Sequence, residues 1–354
     1  MQAPESIDLL LVSPGTTAGW RRGDTELVGV LEELGVRVAT STSDYRVARH
    51  FRRTVLSTDL AEATAIRHAA TRALRQHRPR AIIYSSSQAA MLQPSARLER
   101  AAVRFDVPAV VNRQGFGATL LHVLERRVVR RMRLLLPWGL EAGPEVAELA
   151  PGIPVVPLPA SIDVPVRNRP DRDPVALAYA GNPEKKGLDI VVGAWSHAAP
   201  NGWRLVVTGI DATVGQRFLR ERRVEVPPAV EWAGNLDPAR YRELLERATV
   251  FLSASRYEDY GLAQLEALAQ GALLVTCPSG GRYEALGVQR ELDPRLIAAD
   301  SSAEALSKAL SVAMGLSTEE RLSLQKRARM HLQPYSREEL KRRLADKVLP
   351  VLLP

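Results

Sequence analysis

Two glutamates with seven residues between them, Glu258 and Glu266, bracket a glycine in the run Ser253-Ala-Ser-Arg-Tyr-Glu258-Asp-Tyr-Gly261-Leu-Ala-Gln-Leu-Glu266. The apolar stretch Val250 to Leu252 before it reads as a buried strand, and helical spacing starts near Gly261. A helix that opens there offers its first N–H groups and its dipole to a phosphate, and the missing side chain lets the phosphate come close. Tyr260, Gly261 and Leu262 would line that turn. An ionised carboxylate accepts two hydroxyl donors at once, which suits the vicinal hydroxyls of ribose or a hexose. Spacing alone leaves the plainer reading open, in which acids before and within a surface helix are simply solvated.

A second cluster is Tyr179-Ala-Gly181-Asn182-Pro-Glu-Lys185-Lys186-Gly187-Leu-Asp189, where a strand ends in a loop carrying two ammonium groups. Such a loop is a candidate pyrophosphate cradle, or an exposed turn with ordinary lysines. Gly209 and the pair Gly234-Asn235 close two further strands and are read either as ligand neighbours or as tight turns. Near the start, Ser13-Pro-Gly15-Thr-Thr-Ala-Gly19-Trp-Arg21-Arg22-Gly23-Asp24 joins the first strand to the first helix. Gly19 or Gly23 would permit close approach there, Arg21 or Arg22 would meet phosphate, and Asp24 is expected as the helix N-cap. Arg113, after the apolar Ala109 to Val111, is read as a phosphate or sugar contact or as half of a structural ion pair. Asp171-Arg-Asp173 has a metal-binding spacing but lies in a proline-rich linker, so it is expected to be a solvated turn and no metal is expected.

The segment around the two glutamates resembles the signature of retaining GT-B glycosyltransferases of glycosyltransferase family 4, the glycosyl transferases group 1. The likeness runs from Val250-Phe-Leu-Ser-Ala-Ser through Glu266-Ala-Leu-Ala-Gln-Gly-Ala-Leu-Leu-Val-Thr to Pro278-Ser-Gly-Gly-Arg-Tyr-Glu284. It implies that Glu258 lies beside the donor sugar, that Glu266 binds the ribose, and that the amides at Gly261 and Leu262 meet the pyrophosphate. Lys186 would grip the leaving diphosphate, with Lys185 and Gly181 beside it. Gly209, Gly234 and Asn235 would neighbour the nucleobase, and the loop carrying Gly19 and Arg21 would close over the donor. The chain departs from the family at two places. Asn182 stands where relatives carry an arginine, and Asn112-Arg113-Gln114-Gly115 holds no histidine where many have one; His122, further on, reads as a helix-surface residue.

These loops need a scaffold that delivers strand ends to one edge. Short apolar runs alternate with helical segments: Leu9 to Val12, Val36 to Thr40, Ala81 to Tyr84, Ala109 to Val111, Leu134 to Leu136 and Pro154 to Val156, then Val175 to Ala180, Leu205 to Val207, Val230 to Trp232, Val250 to Leu252 and Leu273 to Thr276. Prolines 157, 159, 165, 170 and 174 interrupt the alternation. With about 150 residues per domain as a guide, 354 residues suggest two domains. The reading is therefore α/β. The resemblance gives it the GT-B form: an acceptor-side Rossmann-like domain over 1–160, a nucleotide-sugar-binding one over 161–330 facing it across a cleft, and a C-terminal helix over 331–354 packing back on the first.

Forty-five per cent apolar residues suffice for two cores, and no apolar run reaches the roughly 18 residues of a membrane helix. The start lacks the order of a signal peptide, and one cysteine, Cys277, excludes an internal disulfide framework, so a cytoplasmic protein is expected. The net charge of +8 gathers as arginines at 46 to 53, 72 to 80 and 126 to 133. A solvated face is the plainer account of them. An anionic or lipid-linked acceptor, or peripheral contact with the inner face of a membrane, is the alternative, and no nucleic-acid-binding motif stands out. The expected activity is transfer of a hexose-type sugar, with retention, from a nucleoside-diphosphate sugar that is substrate and not cofactor. A donor-binding but inactive partner protein is the alternative, because of Asn182 and the missing histidine.

Overall fold

A computed structural model describes residues 7–15, 18–43, 55–106, 108, 118–165, 171–198 and 201–354. The chain divides into two compact α/β units, Met1–Ser161 with Arg337–Pro354, and Ile162–Ser336. Each is built on one five-stranded parallel sheet.

In the first unit the strands are β1 (Leu9–Ser13), β2 (Val38–Thr42), β3 (Ala81–Tyr84), β4 (Ala101–Phe105) and β5 (Leu134–Pro137), in the order β2-β1-β3-β4-β5. Successive side chains point to opposite faces, so Leu9 and Leu11 enter one core with Leu27 and Leu31, while Leu10 and Val12 enter the other with Ile66 and Val128. Both faces are covered, which is why β1, β3 and β5 read as unbroken apolar runs. The returning segment supplies Leu340, Leu344, Val348 and Leu352, every fourth residue, to the first of these cores.

The second unit holds β6 (Asp173–Tyr179), β7 (Arg204–Thr208), β8 (Val230–Gly234), β9 (Ala248–Ser253) and β10 (Leu273–Thr276), in the order β10-β9-β6-β7-β8. The chain leaves β6 for β7 on one side and later returns to β9 on the other. The gap between β6 and β9 is thus the topological switch point, where sheets of this kind take ligands beyond the carboxyl ends of their strands. Trp195 on the Leu188–Ala198 helix and Leu306 and Leu310 on Ala303–Gly315 cover one face.

Several expectations are corrected here. The first helix begins at Ala18, so Asp24 is not its N-cap but lies inside it, 7% exposed. Gly19, Arg21 and Gly23 are helical as well. Pro154 to Val156 makes only an isolated parallel bridge, Val155 to Leu135. Of Asp171 to Asp173, Asp171 is exposed as expected, but Asp173 opens β6 and accepts from Arg247 at 2.7 Å, and Arg172 donates to the carbonyls of Leu245, Ala248 and Gln270. The expected C-terminal helix is three pieces, Arg337–Arg343, a π-helical Leu344–Val348, and Leu349–Leu352. The expected strand Ala109 to Val111 and its neighbour Arg113 lie outside the described residues; β4, with Arg104 as its penultimate residue, lies beside β3 in the sheet.

Most of the arginines singled out for charge are exposed where they are described, among them Arg72, Arg75, Arg126, Arg127, Arg130 and Arg131. Of the apolar residues in and just before the group at 126 to 133, Val128, Val129 and Met132 are core, while Val123 is exposed. Among the described residues no helix is long and apolar enough to cross a membrane.

Candidate functional site

The loop after β6 and the loop after β9 meet at the switch point of the second unit. Lys186 donates to Glu258 Oε2 at 2.5 Å, and the two side chains are only 17% and 10% exposed. Ser255 Oγ at 3.1 Å and Gln264 Nε2 at 3.2 Å donate to the same carboxylate oxygen. Gln264 also donates to Ser253 Oγ at 3.0 Å, so the end of β9, its loop and the next helix share one polar network. The carboxylate is held in one orientation, and in so dry a setting loss of one partner of a pair costs far more than at the surface.

The backbones of the two loops are joined as well. Arg256 N–H donates to the Lys185 carbonyl at 2.9 Å, and its guanidinium to the Glu184 carbonyl at 2.7 Å and to Asp189 at 2.6 Å. Arg256 thereby fixes the height of Lys186 against Glu258. Asn182 is spent on its own turn: its Oδ1 accepts from Lys185 N–H at 3.0 Å and its carbonyl from Lys186 N–H at 2.8 Å. Lys185 lies over the Tyr257 ring, 5.6 Å from its centroid, whereas Lys186 lies over Tyr179 at 5.9 Å. The neighbouring lysines thus face different rings.

The helix Leu262–Ala269 starts beside this pair. Its N-cap is Gly261 at φ +82°, a left-handed conformation, with no side-chain cap on the first N–H groups. The wall behind it is Tyr283, itself left-handed at φ +49° and 1% exposed, whose hydroxyl shares a 2.7 Å hydrogen bond with Thr276 Oγ1. A Cβ on Gly261 would fall 2.8 Å from the Tyr283 ring and 3.0 Å from Ala285 Cβ. Only glycine satisfies both the torsion and the space. Glu266 lies on the same helix, 6% exposed, and Tyr260, 5% exposed, packs edge-on to Tyr335 with ring centroids 6.5 Å apart. Tyr260 is therefore walled in by the protein.

Toward β7 and β8 the edge continues. Gly209 (φ +82°) donates its N–H to the Gly234 carbonyl at 2.7 Å, and Asn235 beyond it is exposed. Between this turn and the β6 loop lies Tyr179, a residue sequence reasoning passed over as the end of a strand. Its ring fills the space that a Cβ on Gly209 or Gly181 would need. Burial, and then the Glu258 carboxylate, hold its phenol above the ordinary tyrosine value.

In the first unit, Arg21 donates to the Gly15 carbonyl at 3.0 Å, and nothing lies within 4 Å of a Cβ on Gly19. Asp24 accepts from Ser13 Oγ and from Ser85 Oγ, the latter at 2.6 Å, and pairs with the fully buried Arg104 at 3.5 Å. Arg104 in turn lies 4.7 Å over the Trp138 ring and donates to the Gly23 carbonyl. Asp24 is thus a structural anchor at the ends of β1 and β3, a role that shows only once those strands are side by side.

Residues 174–314 match the family model described as glycosyl transferases group 1. Among curated proteins, glycogen synthase of Mycobacterium tuberculosis (strain CDC 1551 / Oshkosh) is 30% identical over 47% of this chain and 42% of its own length. Glycogen synthase of Thermus thermophilus is 35% identical over 32% of the chain and 26% of its own. The chain thus matches less than half the length of these relatives. Among solved structures, sucrose-phosphate synthase from Thermosynechococcus elongatus superposes with a TM-score of 0.74 at 14% identity, over 96% of this chain and 97% of that one. WaaG, a glycosyltransferase involved in lipopolysaccharide biosynthesis, gives 0.70 at 14% over 97% and 99%, and Anabaena HepE in complex with UDP-glucose gives 0.70 at 10% over 97% and 99%. At such identities the likeness speaks for the fold. The second unit thus matches the glycosyl transferases group 1 model over residues 174–314, and the two Rossmann-like units have the GT-B fold of these solved glycosyltransferase structures.

Proposed function

We propose that the chain is a glycosyltransferase that takes a hexose-type sugar from a nucleoside diphosphate bound at the switch point between β6 and β9, with retention at the anomeric carbon. The observation that carries this is the Lys186–Glu258 pair beside an uncapped helix N-terminus at Gly261. Those N–H groups and Lys186 together offer a diphosphate positive potential without a metal ion. An arriving diphosphate competes with Glu258 for Lys186, which leaves the carboxylate free for the sugar. Glu266 serves the ribose hydroxyls, and Gly209, Gly234 and Asn235 flank the base. That HepE is seen with UDP-glucose supports a nucleotide-sugar donor. The acceptor is served by the first unit, whose exposed arginines favour an anionic or lipid-linked molecule.

Asn182 favours a second reading, a donor-binding partner without transfer, since its amide is committed to Lys185 N–H and brings no charge to the leaving group. One experiment separates the two. Thermal stabilisation is measured with UDP, GDP and ADP, and the nucleotide that binds then identifies the radiolabelled sugar donor used for hydrolysis and transfer. Binding with turnover supports the enzyme, binding without it the partner, and no binding by any nucleotide removes both. Glu266→Ala is expected to weaken binding, and Glu258→Ala to lower turnover more than binding.

A further inference from the structure

Tyr179 is the last residue of β6 and stands at the centre of the edge just described. Three features single it out. Two glycines make room for it: a Cβ at Gly181 would clash with the Tyr179 hydroxyl oxygen, and one at Gly209 would clash with the ring carbons. The ring also faces a cation, with Lys186 Nζ 5.9 Å from its centroid. Finally, its hydroxyl is left open. The hydroxyls of Tyr283 and Tyr335 are bonded to Thr276 and Glu284, both at 2.7 Å, whereas among the described residues no protein group bonds that of Tyr179. A half-buried phenol lodged between two glycine turns, beside a lysine, with its donor proton unclaimed, is arranged for an outside acceptor.

We propose that Tyr179 is a nucleotide-binding residue: its phenol donates a hydrogen bond to the diphosphate of a bound nucleoside diphosphate, on the β7 side of Lys186. The proposal rests on the donor-site reading above. It also gives the charge-poor Asn182 turn a second polar contact to the phosphates, one that a cation at 182 would otherwise supply. The phenol keeps its proton throughout the neutral range, since burial and Glu258 both oppose its ionisation. It therefore acts as a donor and not as a base.

The test uses the full chain as wild type, Tyr179→Phe and Tyr179→Ala, with titration calorimetry against UDP, GDP and ADP and thermal unfolding of each protein without ligand. Tyr179→Phe is expected to unfold at the wild-type temperature and to bind the preferred nucleotide roughly tenfold or more weakly, as for loss of a hydrogen bond to a charged group. Tyr179→Ala should bind no better than the Phe variant. Equal affinity in wild type and Tyr179→Phe overturns the proposal, and so does a weaker affinity accompanied by a matching fall in ligand-free stability, which would make the hydroxyl structural. Failure of the wild type to bind any of the three nucleotides sinks the donor-site reading itself, and is told apart because no variant is needed to see it.

Discussion

Replacing Gly261 by alanine isolates the torsion and the wall at the helix N-terminus. Gly202 provides the control, for it lies in the same unit at φ +74°, but a Cβ there would meet nothing within 4 Å. An L-residue forced to that torsion costs about 1–2 kcal/mol, which is all Gly202→Ala should show. At Gly261 the methyl also strikes the Tyr283 ring at 2.8 Å and Ala285 at 3.0 Å. Tyr283 cannot give way easily, because it is 1% exposed and tied to Thr276. Overpacking of that kind adds about 1–3 kcal/mol, for a total of about 2–5. For a unit of this size each kcal/mol moves the midpoint by about 2–4 °C, so Gly202→Ala should shift unfolding by about 2–8 °C and Gly261→Ala by about 4–20 °C. Urea titration with an unchanged m-value checks that stability and not the transition has altered. If Gly261→Ala is no worse than Gly202→Ala, the wall of Tyr283 and Ala285 is not there, and the reason for a glycine at this turn fails with it.

In the first unit, Asp24→Ala removes the acceptor of two serine hydroxyls and the counter-charge of the buried Arg104, and should cost about 3–5 kcal/mol, whereas Asp24→Asn keeps part of the hydrogen bonding and should cost less. A loss below about 1 kcal/mol in urea unfolding of Asp24→Ala would contradict the anchor role. Glu339 is held down to about 2 by its hydrogen bonds to Arg342 and Arg343. A depressed carboxylate stabilises the fold fully above the unfolded value near 4.5 and loses that contribution as pH falls toward 2. Screening at this partly exposed site limits it to about 1 kcal/mol, so Glu339→Gln should flatten the acid limb of stability between those pH values by that amount and leave neutral-pH binding alone.

Much of the second unit was legible from the chain, because its strands are buried on both faces and end in glycine-rich loops. The runs at Leu205, Val250 and Leu273 reappear as β7, β9 and β10. What could not be read was any role that depends on strands meeting sideways. Arg104 interrupts an otherwise short apolar run, and its reason for being there, Asp24, is 80 residues away. Asp24 carries the residue type of a cap, yet Trp20 and Gly23 before it are already helical, with Gly23 fitted beneath Trp138 at 3.4 Å from a hypothetical Cβ. At the candidate site, spacing suggested two carboxylates and two lysines. It did not show that Lys185 and Lys186 face different aromatic rings, that Arg256 joins the two loops, or that two of the glycines serve Tyr179.

The return of residues 337–354 to the first unit governs the order in which the molecule can be finished. Leu340, Leu344, Val348 and Leu352 are needed to complete a core whose other members include Leu9 and Leu11, so the portion synthesised first stays open until those four residues have left the ribosome. Meanwhile the later-made unit can already close, since Ile162 N–H bonds the Tyr335 carbonyl at 2.9 Å and its two ends come together without help from what surrounds it. The second unit would therefore be complete first, and a chain released before residue 340 would carry a folded second unit together with an unfinished first one.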